Sequence, residues 1–162
     1  MRRGSGEEGL ALVEVLLLLL VLAVVSEWAL PSALRLYKYG AVRYEAEQLL
    51  SDLRWAQMDA RTTAQQLKTD GRTEVSGTRP RLLLTGTGYI IYQGRIEVRR
   101  HNCLASVRLK FNDGWEEKEL LDFYAGGTVY PSMTIKVFSP GAEGISCKIV
   151  LDAAGRIRLE RS

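Results

Sequence analysis

The chain has 162 residues and carries 22 Lys and Arg against 19 Asp and Glu, a net charge of +3. A balance that small does not by itself imply nucleic acid, so such a partner has to be argued from a local cluster. One histidine, His101, and two cysteines, Cys103 and Cys147, argue against a structural zinc site, which usually takes four ligands.

The amino terminus is the most informative segment. From Leu10 to Leu30 every residue is apolar except Glu14, Ser26 and Glu27. Roughly 21 residues at about 1.5 Å each span about 30 Å, the thickness of a bilayer core. Arg2 and Arg3 precede the run, which places the leader in the cytoplasm and the remainder outside. Three readings fit. A secretory signal peptide would exit through "ALPSA", ending at Ala33. A plain signal anchor needs only the apolar run. Neither accounts for Glu14, since a carboxylate at that depth costs about 2.5–3.5 kcal/mol on insertion scales.

Gly9, an apolar residue, a carboxylate five positions after the Gly and an unbroken apolar stretch together resemble the leader and first helix of type IV prepilins and pseudopilins. The resemblance implies a prepilin peptidase that cuts between Gly9 and Leu10 and N-methylates Leu10. It implies assembly through Glu14 and Pro31, with other pilin subunits, an inner-membrane assembly platform and membrane lipid as partners. Leu10 stands where that family most often has Phe, and Glu7 and Glu8 stand where basic residues are usual. The physics agrees with the match. Cleavage leaves an α-amino group on Leu10, and Glu14 lies one helical turn later. In a bundle of subunits the carboxylate of one chain meets the amine of a neighbour, which lowers the penalty on both and fixes axial register.

Pro31 removes one helical hydrogen bond, so a kink is expected from Glu27 to Pro31. Helical periodicity then resumes. Ala46, Leu49, Leu50, Leu53, Ala56, Ala60, Ala64 and Leu67 form one apolar stripe, with Glu45, Gln48, Asp52, Arg54, Asp59 and Arg61 over the remaining surface. "TDGRT", with Gly71, ends the helix. From Leu10 to about Lys68 it would measure about 88 Å. Beyond Arg79 the period shortens. "RLLLTG", "GYIIYQG", "RIEVRR", "CLASVRLKF", "TIKVFS", "CKIVLD" and "RIRLE" read as strands, separated by turns at Gly86-Thr87-Gly88, Asn112-Asp113-Gly114 and Pro140-Gly141.

The expected fold class is α+β: a long N-terminal transmembrane helix whose C-terminal half packs on an antiparallel β-sheet or β-sandwich. The expected boundaries are a leader at 1–9, a transmembrane and filament-core helix at 10–31, its amphipathic continuation at 32–70 and a β-rich domain at 73–162. "LRWAQMDARTTAQQL", "RLLLTGTGYIIY" and the terminal "LDAAGRIRLE" are similar to the GspH/FimT branch, which comprises minor pseudopilins of type II secretion and minor pilins of type IV and competence systems.

Little here suggests chemistry. Gly86-Thr87-Gly88 lacks the Gly-Lys-Ser/Thr of a phosphate loop. His101, the only histidine, reads as a loop residue, and the acids of "GWEEKELLD" as a solvated strand face or loop. No enzyme activity and no cofactor or metal is expected. Cys103 and Cys147 form a disulfide outside the membrane or stay as buried free thiols. Near the C-terminus, Arg156 and Arg158 would share one strand face with Glu160, two cations about 7 Å apart, with Arg161 beside them. Gly155-Arg156-Ile157-Arg158 also resembles the Gly-Arg-x-Arg motif of DNA-binding minor pilins. DNA contact and a solvated strand face both remain open. So does the contrary reading of the whole chain, an anchored or secreted β-domain binding protein that does not polymerise.

Overall fold

The computed structural model describes residues 5–69, 79–111 and 118–161, with side chains from Ala11 to Glu160. The expected helix stop at Gly71, the turn at Asn112-Asp113-Gly114 and the acids Glu116 and Glu117 lie outside the described residues, as does the Arg161 side chain. The chain divides into two compact units, Met1–Tyr37 and Lys38–Ser162.

One helix, α1, runs Ser5–Thr69 and contains Pro31 without interruption of its assignment. In the first unit every described side chain from Ala11 to Tyr37 is exposed. The stretch has a mean hydropathy of 2.4 over its most apolar window, enough by length and composition to cross a membrane. Ser26 and Ser32 return their hydroxyls to the carbonyls of Leu22 and Trp28, so neither presents a bare polar group in that run.

In the second unit the same helix is amphipathic and its buried stripe is the one read from the sequence. Ala46, Leu49, Leu53, Ala56 and Ala60 are buried, joined by Ala41 and Val42, while Leu50, Ala64 and Leu67 are half-buried. Alanines at three- and four-residue steps let a sheet approach closely, and each buried Leu contributes roughly 1.5–3 kcal/mol.

Two antiparallel sheets complete the core. β1 (Pro80–Thr85), β2 (Gly88–Gln93), β3 (Ile96–Asn102), β5 (Lys118–Phe123) and β6 (Val129–Tyr130) form the first, in the order β3-β2-β1-β5-β6. β4 (Arg108–Phe111), β7 (Met133–Phe138), β8 (Ser146–Leu151) and β9 (Ile157–Arg161) form the second, in the order β4-β7-β8-β9. Inward residues alternate along each strand: Leu82 and Leu84, Leu121 and Phe123, Ile135 and Val137, Ile149 and Leu151 are all buried in a single cluster with the helix stripe. Gly86 and Thr87 make the first hairpin turn as expected. Gly88 faces Asn102 so tightly that a β-carbon there would meet the His101 carbonyl oxygen.

Three expectations are corrected, and one alternative is decided: of a strand face or a loop for "KELLDF", the structure has the strand, β5, paired with β1 and β6 and burying Leu121 and Phe123. His101 belongs to β3 rather than to a loop. Glu45 and Asp52 are not on the surface: they are 2% and 1% exposed, because β2 and β3 cover the flank of the helix that bears them. Arg156 precedes β9 instead of lying on its face.

Candidate functional site

Of the residues expected to direct processing and assembly, Gly9 and Leu10 lie in the first turns of α1, and their side chains are outside the described set. Glu14 is exposed on that helix, amid Leu12, Val13, Val15 and Leu16, which are also exposed.

The second unit holds a polar seam that sequence reading missed. Glu45, Asp52 and Asp59 recur every seven residues along one flank of α1. Each meets the β2–β3 edge. Glu45 Oε2 lies 2.7 Å from His101 Nε2, while its Oε1 accepts the Leu104 amide at 2.9 Å. Asp52 accepts the Tyr89 hydroxyl at 2.6 Å and forms an ion pair with Arg99. Asp59 accepts the Gln93 side-chain amide at 3.2 Å. The rings of Tyr89 and His101, opposite one another in the β2–β3 register, stand 5.1 Å apart. Arg99 is further steadied over Trp55, 5.5 Å from its ring centre. Burial pushes the Tyr89 hydroxyl up, and the hydrogen bond to Asp52 adds to it. The Cys103 thiol rises from an ordinary 9.0 to about 12, first through burial and then through the charge of Glu45. Burial alone raises Asp59. The heptad spacing of the three acids was visible in the sequence and was the available signal.

Cys103 follows β3 in the first sheet and Cys147 lies within β8 in the second; both are free thiols.

The C-terminal arginines separate. Arg158 is exposed on β9 between buried Ile157 and half-buried Leu159. Arg156 instead pairs with Asp152 at 3.0 Å, in the turn that also holds Gly155. Gly155 has φ of 80°, and a β-carbon on it would run into the Gly127 carbonyl. Gln57 of α1 donates to the carbonyls of both glycines, at 2.5 and 2.6 Å. The glycine of this motif is therefore demanded by the fold. Across the outer face of the second sheet the register sets Lys110 opposite Lys136, Lys136 opposite Lys148, and Lys148 opposite Glu160. Lys136, Lys148 and Arg158 are exposed there.

No protein-family model matches the sequence, and no curated protein matches it. Solved structures do. The type IV minor pilin FimU of Pseudomonas aeruginosa superposes with a TM-score of 0.54 at 22% identity, covering 74% of this chain and 87% of that one. A second crystal form gives 0.53 at 21%, over 73% and 91%. The minor pseudopilin EpsH of the Vibrio cholerae type 2 secretion system gives 0.55 at 13% identity, over 75% and 97%. The chain has the pilin-like fold: one long N-terminal apolar helix whose later half packs on antiparallel sheets.

Proposed function

We propose that this chain is a minor pilin or pseudopilin, a non-enzymatic subunit of a type IV pilus or type II secretion filament. It is inserted in the inner membrane with its N-terminus in the cytoplasm. A prepilin peptidase cuts between Gly9 and Leu10 and methylates Leu10, and an assembly platform then draws the subunit into the filament. The observation that carries this reading is the uncovered apolar helix from Ala11, with Glu14 in it, on a chain whose folded part resembles minor pilins. Neighbouring helices bury in the filament what lipid buries before assembly. The Leu10 amine and Glu14 then neutralise one another between subunits.

The test is co-expression with a prepilin peptidase, followed by intact-mass analysis. The wild type should lose residues 1–9 and gain one methyl group, and Gly9→Val should stay full length. A mature chain starting near Ser32 or Leu34 would support a signal peptide instead, and an uncut wild type a plain anchor.

A second reading, DNA as partner within a competence-type system, is favoured by the outer face of the second sheet. Lys136 and Lys148 are direct cross-strand neighbours, an arrangement unfavourable to the fold by itself. With Arg158 they form a cationic strip that a polyanion would offset.

A further inference from the structure

We propose that Glu45, His101 and Cys103 form a binding site for one zinc ion, which ties α1 to the end of β3. The placement follows from the backbone. His101 lies in β3 and Cys103 is the first residue beyond its end, where its amide still bonds the Thr87 carbonyl at 2.9 Å, so the two side chains, two residues apart, project to the same side, towards the helix. Glu45, buried on the flank of α1, meets them there. One ligand atom from each residue lies within 4.8 Å of the other two. Zinc bonds of about 2.0–2.3 Å at tetrahedral angles set neighbouring ligand atoms roughly 3.3–3.7 Å apart. The Glu45–His101 separation of 2.7 Å is that of a hydrogen bond, so it opens by roughly half an ångström as an ion replaces the shared proton.

The donor set chooses the metal. Thiolate, imidazole and carboxylate together suit zinc, and cobalt as its stand-in, over the oxygen-seeking calcium and magnesium. Three protein ligands leave a fourth position for water, and His101 and Cys103, both only half-buried, leave it a path to solvent. The surroundings hold the ligands in place. The Leu104 amide fixes one oxygen of Glu45 and leaves the other turned to His101, and the Tyr89 ring braces the imidazole. Binding balances simply: the Cys103 thiol releases its proton to solvent, and the neutral imidazole moves its proton from Nε2 to Nδ1. The freed sulfur and nitrogen lone pairs then bond the ion.

The experiment uses the full chain in detergent micelles, kept reduced with a phosphine, and titrated with cobalt(II) chloride. A thiolate-to-cobalt charge-transfer band should grow to saturation at one equivalent and disappear when zinc chloride is added. Cys103→Ser should abolish the band while Cys147→Ser keeps it, with far-ultraviolet circular dichroism confirming that both variants fold. Independently of any variant, zinc should slow maleimide labelling of Cys103 in the wild type at least tenfold, as read by peptide mass mapping. A folded wild type with no band at one equivalent overturns the proposal. So does a band that survives Cys103→Ser, or labelling of Cys103 that zinc leaves unchanged.

Discussion

Glu45 and His101, 56 residues apart in sequence, share a hydrogen bond of 2.7 Å that fastens the helix to the edge strand β3. A carboxylate only accepts, so His101 Nε2 is the donor. The helix meets the side chains of this edge strand, and Glu45 also accepts the backbone amide of Leu104 just beyond its end. The bond belongs to a line of three carboxylates, and the other two meet Tyr89, Arg99 and Gln93. This seam, rather than apolar contact alone, sets where β2 and β3 lie along the helix.

Glu45→Ala should therefore destabilise the protein by about 2–4 kcal/mol. That is at the lower end for breaking a buried polar pair, since His101 keeps some access to water. A loss of that size lowers the melting temperature by roughly 10 °C. Glu47→Ala, which removes only the exposed partner of Arg43, should leave the melt unchanged. Thermal melts followed by circular dichroism compare the two. Equal melts would mean that the buried carboxylate carries no structural role.

Gly155→Ala should be costly where Gly141→Ala is mild. Both glycines have positive φ, at 80° and 70°. At Gly141 nothing lies within 4 Å of an added β-carbon, so only backbone strain of about 1 kcal/mol applies. At Gly155 the methyl also strikes the Gly127 carbonyl and disturbs the Gln57 bonds, for a total of about 3 kcal/mol or more. The ranking of the two melting temperatures checks this, and the reverse order would refute it.

Alkaline pH should loosen the same seam. Tyr89 and Cys103 both have folded pKa values above their unfolded ones, so their neutral forms favour the fold. That stabilisation is complete below about pH 9 and is lost as pH rises towards 12. The melting temperature should fall across that window. In Cys103→Ser the fall should be shallower and begin higher, as of these two raised groups Tyr89 alone then remains. A profile identical to the wild type would remove Cys103 from the account.

If the strip of Lys136, Lys148 and Arg158 contacts phosphates, binding to labelled duplex should weaken as salt rises, by about 0.9 log unit per log unit of salt for each contact. Replacing Lys148 and Arg158 with Gln should flatten the slope by nearly two and leave the fold intact, because both side chains face solvent. Arg156→Gln should change it less, since Asp152 already neutralises that charge. Fluorescence anisotropy at three salt concentrations measures all three slopes. A slope unmoved by the double substitution would return the strip to ordinary solvated surface.

Much of the architecture was legible in the residues. The apolar run with Glu14 and the alanine and leucine stripe of the helix follow from local periodicity. So do most of the strands, such as "GYIIYQ" and "SCKIVL", because side-chain direction repeats every 3.6 or two residues whatever lies opposite. Strand order, by contrast, is a matter of long-range pairing. Nothing local in "KELLDF" says that it lies between β1 and β6 in a sheet. The same limit hid the polar seam. Glu45 and Asp52 look like solvent-facing charges until β2 and β3 fold over that flank and bring His101, Tyr89 and Arg99 to them. It also changed the meaning of the C-terminal motif: the register with β8 leaves Arg158 on the outer face, while the Gly155 turn gives Arg156 to Asp152. Periodicity says which side of an element is apolar; only the partner element decides which polar groups on its margin are taken out of water.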